Sequence, residues 1–235
     1  MRVTLATDPG TAGWPNEDFA AVAPGAAVLL DGATTPRGAS TGCVHGVAWY
    51  ARTLGTTLLA AITAEPHVPL PQALAGAIGA VRARHEHTCD LACPATPAAT
   101  VTAVRAAHDG IEYLALSDST IAADPGGDGQ PVIITEAHPA AAAMPEAALQ
   151  ASTGTLSRTG LRGVALLSDG ATRITDRYGL LTWPAVLGVV RDHGPAELIR
   201  QVRAAEDSDQ DCARWPRAKA RDDATIVHWE HWSRG

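Results

Sequence analysis

Two long helical stretches stand back to back in this chain, with strand-like runs on either side of them. Apolar positions recur at helical spacing from Thr41 to Ile62, where Thr41 suits an N-cap, and again from Pro71 to about His87. A regular parallel sheet alternates strand and crossover helix, so two consecutive helices argue against it. The flanking runs read as strands. They are "VTLAT", then "FAAVA" and "AAVLLDG" joined at Pro24-Gly25, then "AATVTAVRAA", "IEYLALSDS", "PVIITEA" and "LRGVALLSDG". Two more helices, "WPAVLGVVRDHG" and "PAELIRQVRAAEDS", precede a closing strand, "DDATIVHWEHW", while the alanine-rich "PAAAAMPEAALQAS" fits helix or loop equally. This order suits helices layered outside antiparallel sheets.

Within that order the chain nearly repeats a phrase. "LLDGAT" closes one apolar run at Asp31 and "LLSDGAT" closes another at Asp169. A buried strand that stops on Asp-Gly delivers a carboxylate at its mouth, and the glycine permits a sharp turn and a close approach. A single such ending is ordinary turn chemistry. Here the acidic endings recur: Glu17 and Asp18 in "PNEDF", Asp31, Asp118 in "ALSDST", Asp169, and the pair Asp222-Asp223. Carboxylates are hard oxygen ligands suited to Mg²⁺ or Mn²⁺, and several converging without a cation repel one another.

Composition narrows the function class. The 235 residues suit a single domain spanning 1–235, with 46% hydrophobic residues to fill its core. A net charge of −7 opposes nucleic-acid binding. No segment reaches the roughly 20 apolar residues of a membrane span, and the N-terminus lacks a signal-peptide pattern, so a cytoplasmic protein without a membrane partner is expected. Four cysteines in such a compartment form no disulfide framework. Richness in Ala, Arg, Gly and Pro points to GC-rich codons and a bacterial source.

Taken in order, these motifs resemble the metal-dependent protein phosphatases of the PPM (PP2C) type. "TDPGTAGWPNED" from Thr7 to Asp18 resembles the family's Thr-Asp-x-Gly…Asn-Glu-Asp, and Asp31-Gly32 its second motif. "ALSDST" resembles the Gly-Asp-Ser-Arg region, Ser168–Gly170 the Ser/Thr-Asp-Gly strand end, and "DDAT" from Asp222 to Thr225 the last motif. The resemblance implies an α+β fold: a four-layer αββα sandwich of two antiparallel sheets flanked by helices, acting as a monomer. It also implies a catalytic centre of two, possibly three, Mn²⁺ or Mg²⁺ ions. Asp31 would bridge the metals, the Gly32 carbonyl, Asp169 and Asp222 would bind them, and Asp118 would support an additional weak one. Glu17, with Asp18 beside it, would act in the outer sphere through a water. The reaction implied is hydrolysis of a phosphomonoester, on a phosphoprotein or a small phosphorylated molecule, by water activated between the metals.

The match departs from the family at the phosphate clamp. The arginine usual four residues before the Glu of the first motif is Gly13 here, and Gly-Asp-Ser-Arg has become Ser117–Thr120. Arg37, Arg173 and Arg221, each close to a motif, are the candidates to replace that guanidinium. A non-catalytic module of the same fold, or a different metal-dependent activity, stays open as an alternative. One further constellation stands apart. His85, His87, Cys89 and Cys93 fall within nine residues, with Cys43 and His45 far upstream. Their spacing is not that of a paired Cys-x₂-Cys zinc site, and the expectation is that they are incidental.

Overall fold

The structure, a computed structural model, describes residues 2–33, 40–127, 129–136 and 142–230. One five-stranded antiparallel sheet orders its strands β2 (Phe19–Ala23), β3 (Ala26–Gly32), β4 (Ala99–Ala106), β5 (Gly110–Leu116) and β8 (Ser152–Ser157). The other orders β1 (Arg2–Asp8), β10 (Ala224–Glu230), β9 (Gly163–Leu167), β6 (Thr120–Asp124) and β7 (Val132–Ile134). Helices α1 (Val47–Ala64) and α2 (Leu70–His85) cover the first sheet; α3 (Asp169–Asp176), α4 (Trp183–His193) and α5 (Pro195–Asp207) cover the second.

Three apolar clusters correspond to the three interfaces of this four-layer sandwich. In β3, Ala26, Val28 and Leu30 face α1 and α2, while Ala27 and Leu29 face the other sheet. In β9, Ala165 and Leu167 face α3–α5, while Val164 and Leu166 meet the first sheet. The side-chain period of two explains both patterns. Because both faces of these strands are covered, their sequences run almost continuously apolar, as in β9, "GVALL".

Several boundaries differ from the sequence reading. Helix α1 begins at Val47 rather than near Thr41, because Gly42 and Gly46 take φ of 66° and 77° and hold 41–46 out of the helix. Thr41 instead binds Cys43, accepting from its amide at 3.2 Å. "LLSDG" does not end as a strand at Asp169: the strand stops at Leu167 and Asp169 opens α3. Strands β6 and β8 were not separable in the sequence. The alanine-rich stretch holds a single 3₁₀ segment, Pro145–Gln150.

Candidate functional site

The period of two that buries Ala27 and Leu29 between the sheets continues to Asp31, so this carboxylate emerges at the inter-sheet mouth. The Asp31 amide donates to Thr100 Oγ1 at 3.3 Å, and Thr100 in turn shares a 2.5 Å hydrogen bond with Ser119. From the opposite sheet, the Asp169 amide at the start of α3 donates to Asp31 Oδ2 at 3.4 Å. The two repeated phrases therefore face each other across the sandwich.

Glycines make this convergence possible. A Cβ on Gly32 would stand 2.8 Å from the Glu17 carbonyl, and one on Gly170 would stand 2.0 Å from the Asp223 carbonyl. A Cβ on Gly10 would come within 2.5 Å of the Asp222 backbone. No other residue allows these backbones to meet.

Asp18 and Asp223 complete the acidic set, in different ways. Asp18 is buried; its carboxylate oxygens have no well-formed hydrogen bond among the described residues, although the hydroxyls of Ser168 and Thr225 lie beside them. Burial, reinforced by the charges of Asp223 and Asp169, pushes its carboxyl up to about 7. Burial likewise raises Asp31 well above the carboxylate range, with the charges of Asp18, Asp169 and Asp222 adding to it. Asp169 is raised by burial and by Asp222. Asp223 plays a part the sequence did not assign. It accepts from the Gly10 amide at 2.8 Å and the Glu17 amide at 2.7 Å, and so ties the first motif to the last.

Asp222 is held from both sides. Its Oδ2 accepts from Arg173 at 2.5 Å and its Oδ1 from Lys219 at 2.8 Å. Arg173 also reaches the buried Glu206 at 3.5 Å, so its guanidinium orients Asp222 rather than standing free for a ligand. Arg221 pairs with Asp207 on the exposed rim and lines a different cleft from Arg173, and Arg37 lies outside the described residues. Lys219 is the chain's only lysine, a signal the sequence offered and the reading missed. The charges of Asp222, Glu17 and Asp31 all act on it.

Asp118 is exposed, and the preceding Ser117 takes φ 69°, the region where glycine is favoured. Asp118 lines a cleft of ≈ 790 Å³ together with Asp169, Arg173, Trp183 and Arg214. A second cleft, ≈ 1050 Å³, lies against Gly10, Trp14, Glu17, Lys219 and Asp222. The segment 208–221 borders both clefts. It is fastened by Asp209, which accepts from the amides of Arg214 and Trp215 and pairs with the buried Arg217 guanidinium at 2.5 Å.

Oxygen donors from both sheets, half-buried and mutually repelling, fit hard divalent cations, and the buried Asp18 carboxylate, without a well-formed hydrogen bond among the described residues, points the same way.

Comparison with known proteins agrees with this architecture. The family model described as "Protein phosphatase 2C" matches residues 10–202. No curated protein matches the sequence. Among solved structures, the chain is similar to the PPM Ser-Thr phosphatase MsPP of Mycobacterium smegmatis, in complex with cacodylate. The TM-score is 0.68 at 17% identity, over 99% of each chain. It is similar to the serine/threonine phosphatase of Staphylococcus aureus, with TM-score 0.66 at 14% identity over 98% of this chain and 95% of that one. The catalytic domain of the phosphatase PstP, solved with two manganese ions, gives a TM-score of 0.61 at 16% identity over 97% of each chain.

Proposed function

Because the chain belongs to the protein phosphatase 2C family, we propose that it is a Mn²⁺- or Mg²⁺-dependent phosphomonoester hydrolase acting on phosphoserine or phosphothreonine. The observation that carries this reading is the meeting of Asp31 and Asp169 from opposite sheets, with the Asp169 amide on the Asp31 carboxylate. Asp31, Asp169, Asp222 and the Gly32 carbonyl would hold the cations, with Glu17 and Asp18 behind them and Asp118 at an outer position. When bound, the cations supply Lewis acidity that acidifies water and offsets phosphoryl charge.

The protein's own groups do the rest. Arg173 keeps Asp222 turned toward the centre, and Asp223 holds the first motif against it through the Gly10 and Glu17 amides. Lys219, at the mouth of the larger cleft, is the cation best placed to meet phosphoryl oxygens in the absence of an arginine at Gly13. The clefts on either side of the centre offer room for the peptide flanking a phosphorylated residue.

Gly13 also favours a second reading, a binding module of the same fold that holds metal without turnover. Hydrolysis of an aryl phosphate and of a phosphothreonine peptide, with Mn²⁺ titrated in, separates the two. Catalysis predicts a metal-dependent rate that falls at least about 100-fold in Asp169→Asn and disappears with EDTA. A wild-type protein that binds Mn²⁺ yet leaves both substrates intact would establish the module instead.

A further inference from the structure

The cysteines and histidines set aside in the sequence come together in space. Cys43 and His45 lie in the loop before α1, His85 closes α2, and Cys89 follows it by a short turn. The ligand atoms of these four residues all lie within 4.8 Å of one another, and they are the sole such group among the described residues. Cys43 Sγ is 3.3 Å from Cys89 Sγ and 3.7 Å from the Nδ1 atoms of both His45 and His85, while Cys89 Sγ is 3.4 Å from His45 Nδ1.

The S···N separations match the edges of a small tetrahedron, and the S···S separation is somewhat shorter than its edge. Zn–S bonds of about 2.3 Å and Zn–N bonds of about 2.0 Å imply S···S edges of about 3.8 Å and S···N edges of about 3.5 Å. A disulfide needs its sulfurs about 2.05 Å apart, and both cysteines are free. The site is also walled. The Trp49 ring lies 4.2 Å from that of His45 and 5.1 Å from that of His85. His85 turns Nδ1 toward Cys43, and its Nε2 is buried without a hydrogen-bond partner among the described residues.

We infer that Cys43, His45, His85 and Cys89 form a structural zinc site, closed by four protein ligands and separate from the acidic centre. Its ligands come in two pairs, each pair from one segment: residues 40–46, which lead into α1, and residues 85–93, which follow from the last residue of α2. The segments already touch, with the Asp90 amide donating to the Gly42 carbonyl at 2.8 Å and the Cys93 thiol to the Ser40 carbonyl at 3.4 Å. Zinc would lock this junction ahead of α1. The sequence concealed the site because its halves lie some forty positions apart, as Cys-x-His and His-x₃-Cys.

The test uses full-length protein carrying Asp31→Asn, which disables the acidic centre, purified under reducing conditions. Metal analysis is expected to find about one zinc per chain. That zinc should survive Cys93→Ser and be lost in Cys89→Ser. Replacement by Co²⁺ in the protein with all four ligands intact should give the intense visible bands and near-ultraviolet charge transfer of a tetrahedral, thiolate-bound ion, a readout that does not depend on a variant folding. A cobalt spectrum without thiolate charge transfer would overturn the inference. So would zinc retained by Cys89→Ser, or a Cys43–Cys89 disulfide found by mass spectrometry in the reduced preparation.

Discussion

At position 13 a single residue separates the two readings of the centre, a hydrolase and a binding module. Gly13 has φ +82°, and a Cβ added there would meet nothing within 4 Å. An arginine would therefore find space but strain the backbone, at a cost of about 1 kcal/mol. Gly13→Arg should lower the melting temperature by a few degrees and lower the KM for an aryl phosphate several-fold, with kcat changed less. Steady-state kinetics beside a thermal melt would check both halves; an unchanged KM would mean that Lys219 or another cation already serves the phosphate. The ligand candidates were legible in the sequence because an Asp-Gly after an apolar run is a strong local sign. The roles of Asp223, Lys219 and Arg173 were not. Asp223 and Arg173 depend on partners far away in the chain, Asp223 on Gly10 and Glu17 and Arg173 on Asp222 and Glu206, while Lys219 meets Asp222 three residues on but shows its place only once that carboxylate is folded against the centre.

Among the elements, β3 and β9 explain why the acidic endings meet: both are buried on two faces and run antiparallel to neighbours that fix their register. Strand β10 carries a different liability. His228 is buried, its Nδ1 has no partner among the described residues, and burial holds its imidazole below the usual value of 6.5. The charged groups acting on it are Glu230 and Asp124, which oppose the shift, and Arg191 and Arg2, which add to it. Below pH 6.5 the unfolded chain takes up a proton that the native His228 refuses, so stability falls on acidification until the native value is reached. The slope for one such proton is at most about 1.4 kcal/mol per pH unit. In urea titrations from pH 7.5 to 5, His228→Gln should lose less stability than wild type; parallel curves would exclude the effect. The strands and helices long enough to show a period were readable in the sequence. The start of α1 was not, since two glycines with positive φ override apolar spacing that continues through them. Strands β6 and β8 were missed because "TIAAD" and "STGTLS" are short and carry weak β signals.

At the scale of the whole molecule, the sandwich brings acidic side chains from motifs throughout the chain to one end of the two sheets, beside a segment, 208–221, that borders a cleft on each side. The layer order was legible because consecutive helices left few alternatives; the clefts were not, because they form from loops whose course only the packed layers determine. The central claim is that this end of the sheets is a divalent-cation centre. The single lysine permits a direct test. Reductive methylation with ¹³C-formaldehyde labels Lys219 and the α-amine alone, and Lys219 Nζ lies 2.8 Å from Asp222. Mn²⁺ should broaden the Lys219 methyl resonance beyond detection at stoichiometric amounts, and Mg²⁺ should shift it without broadening. Asp31→Asn should need much more Mn²⁺ for the same effect. A resonance that stays sharp in excess Mn²⁺, or broadens identically in Asp31→Asn, would contradict the assignment of this centre.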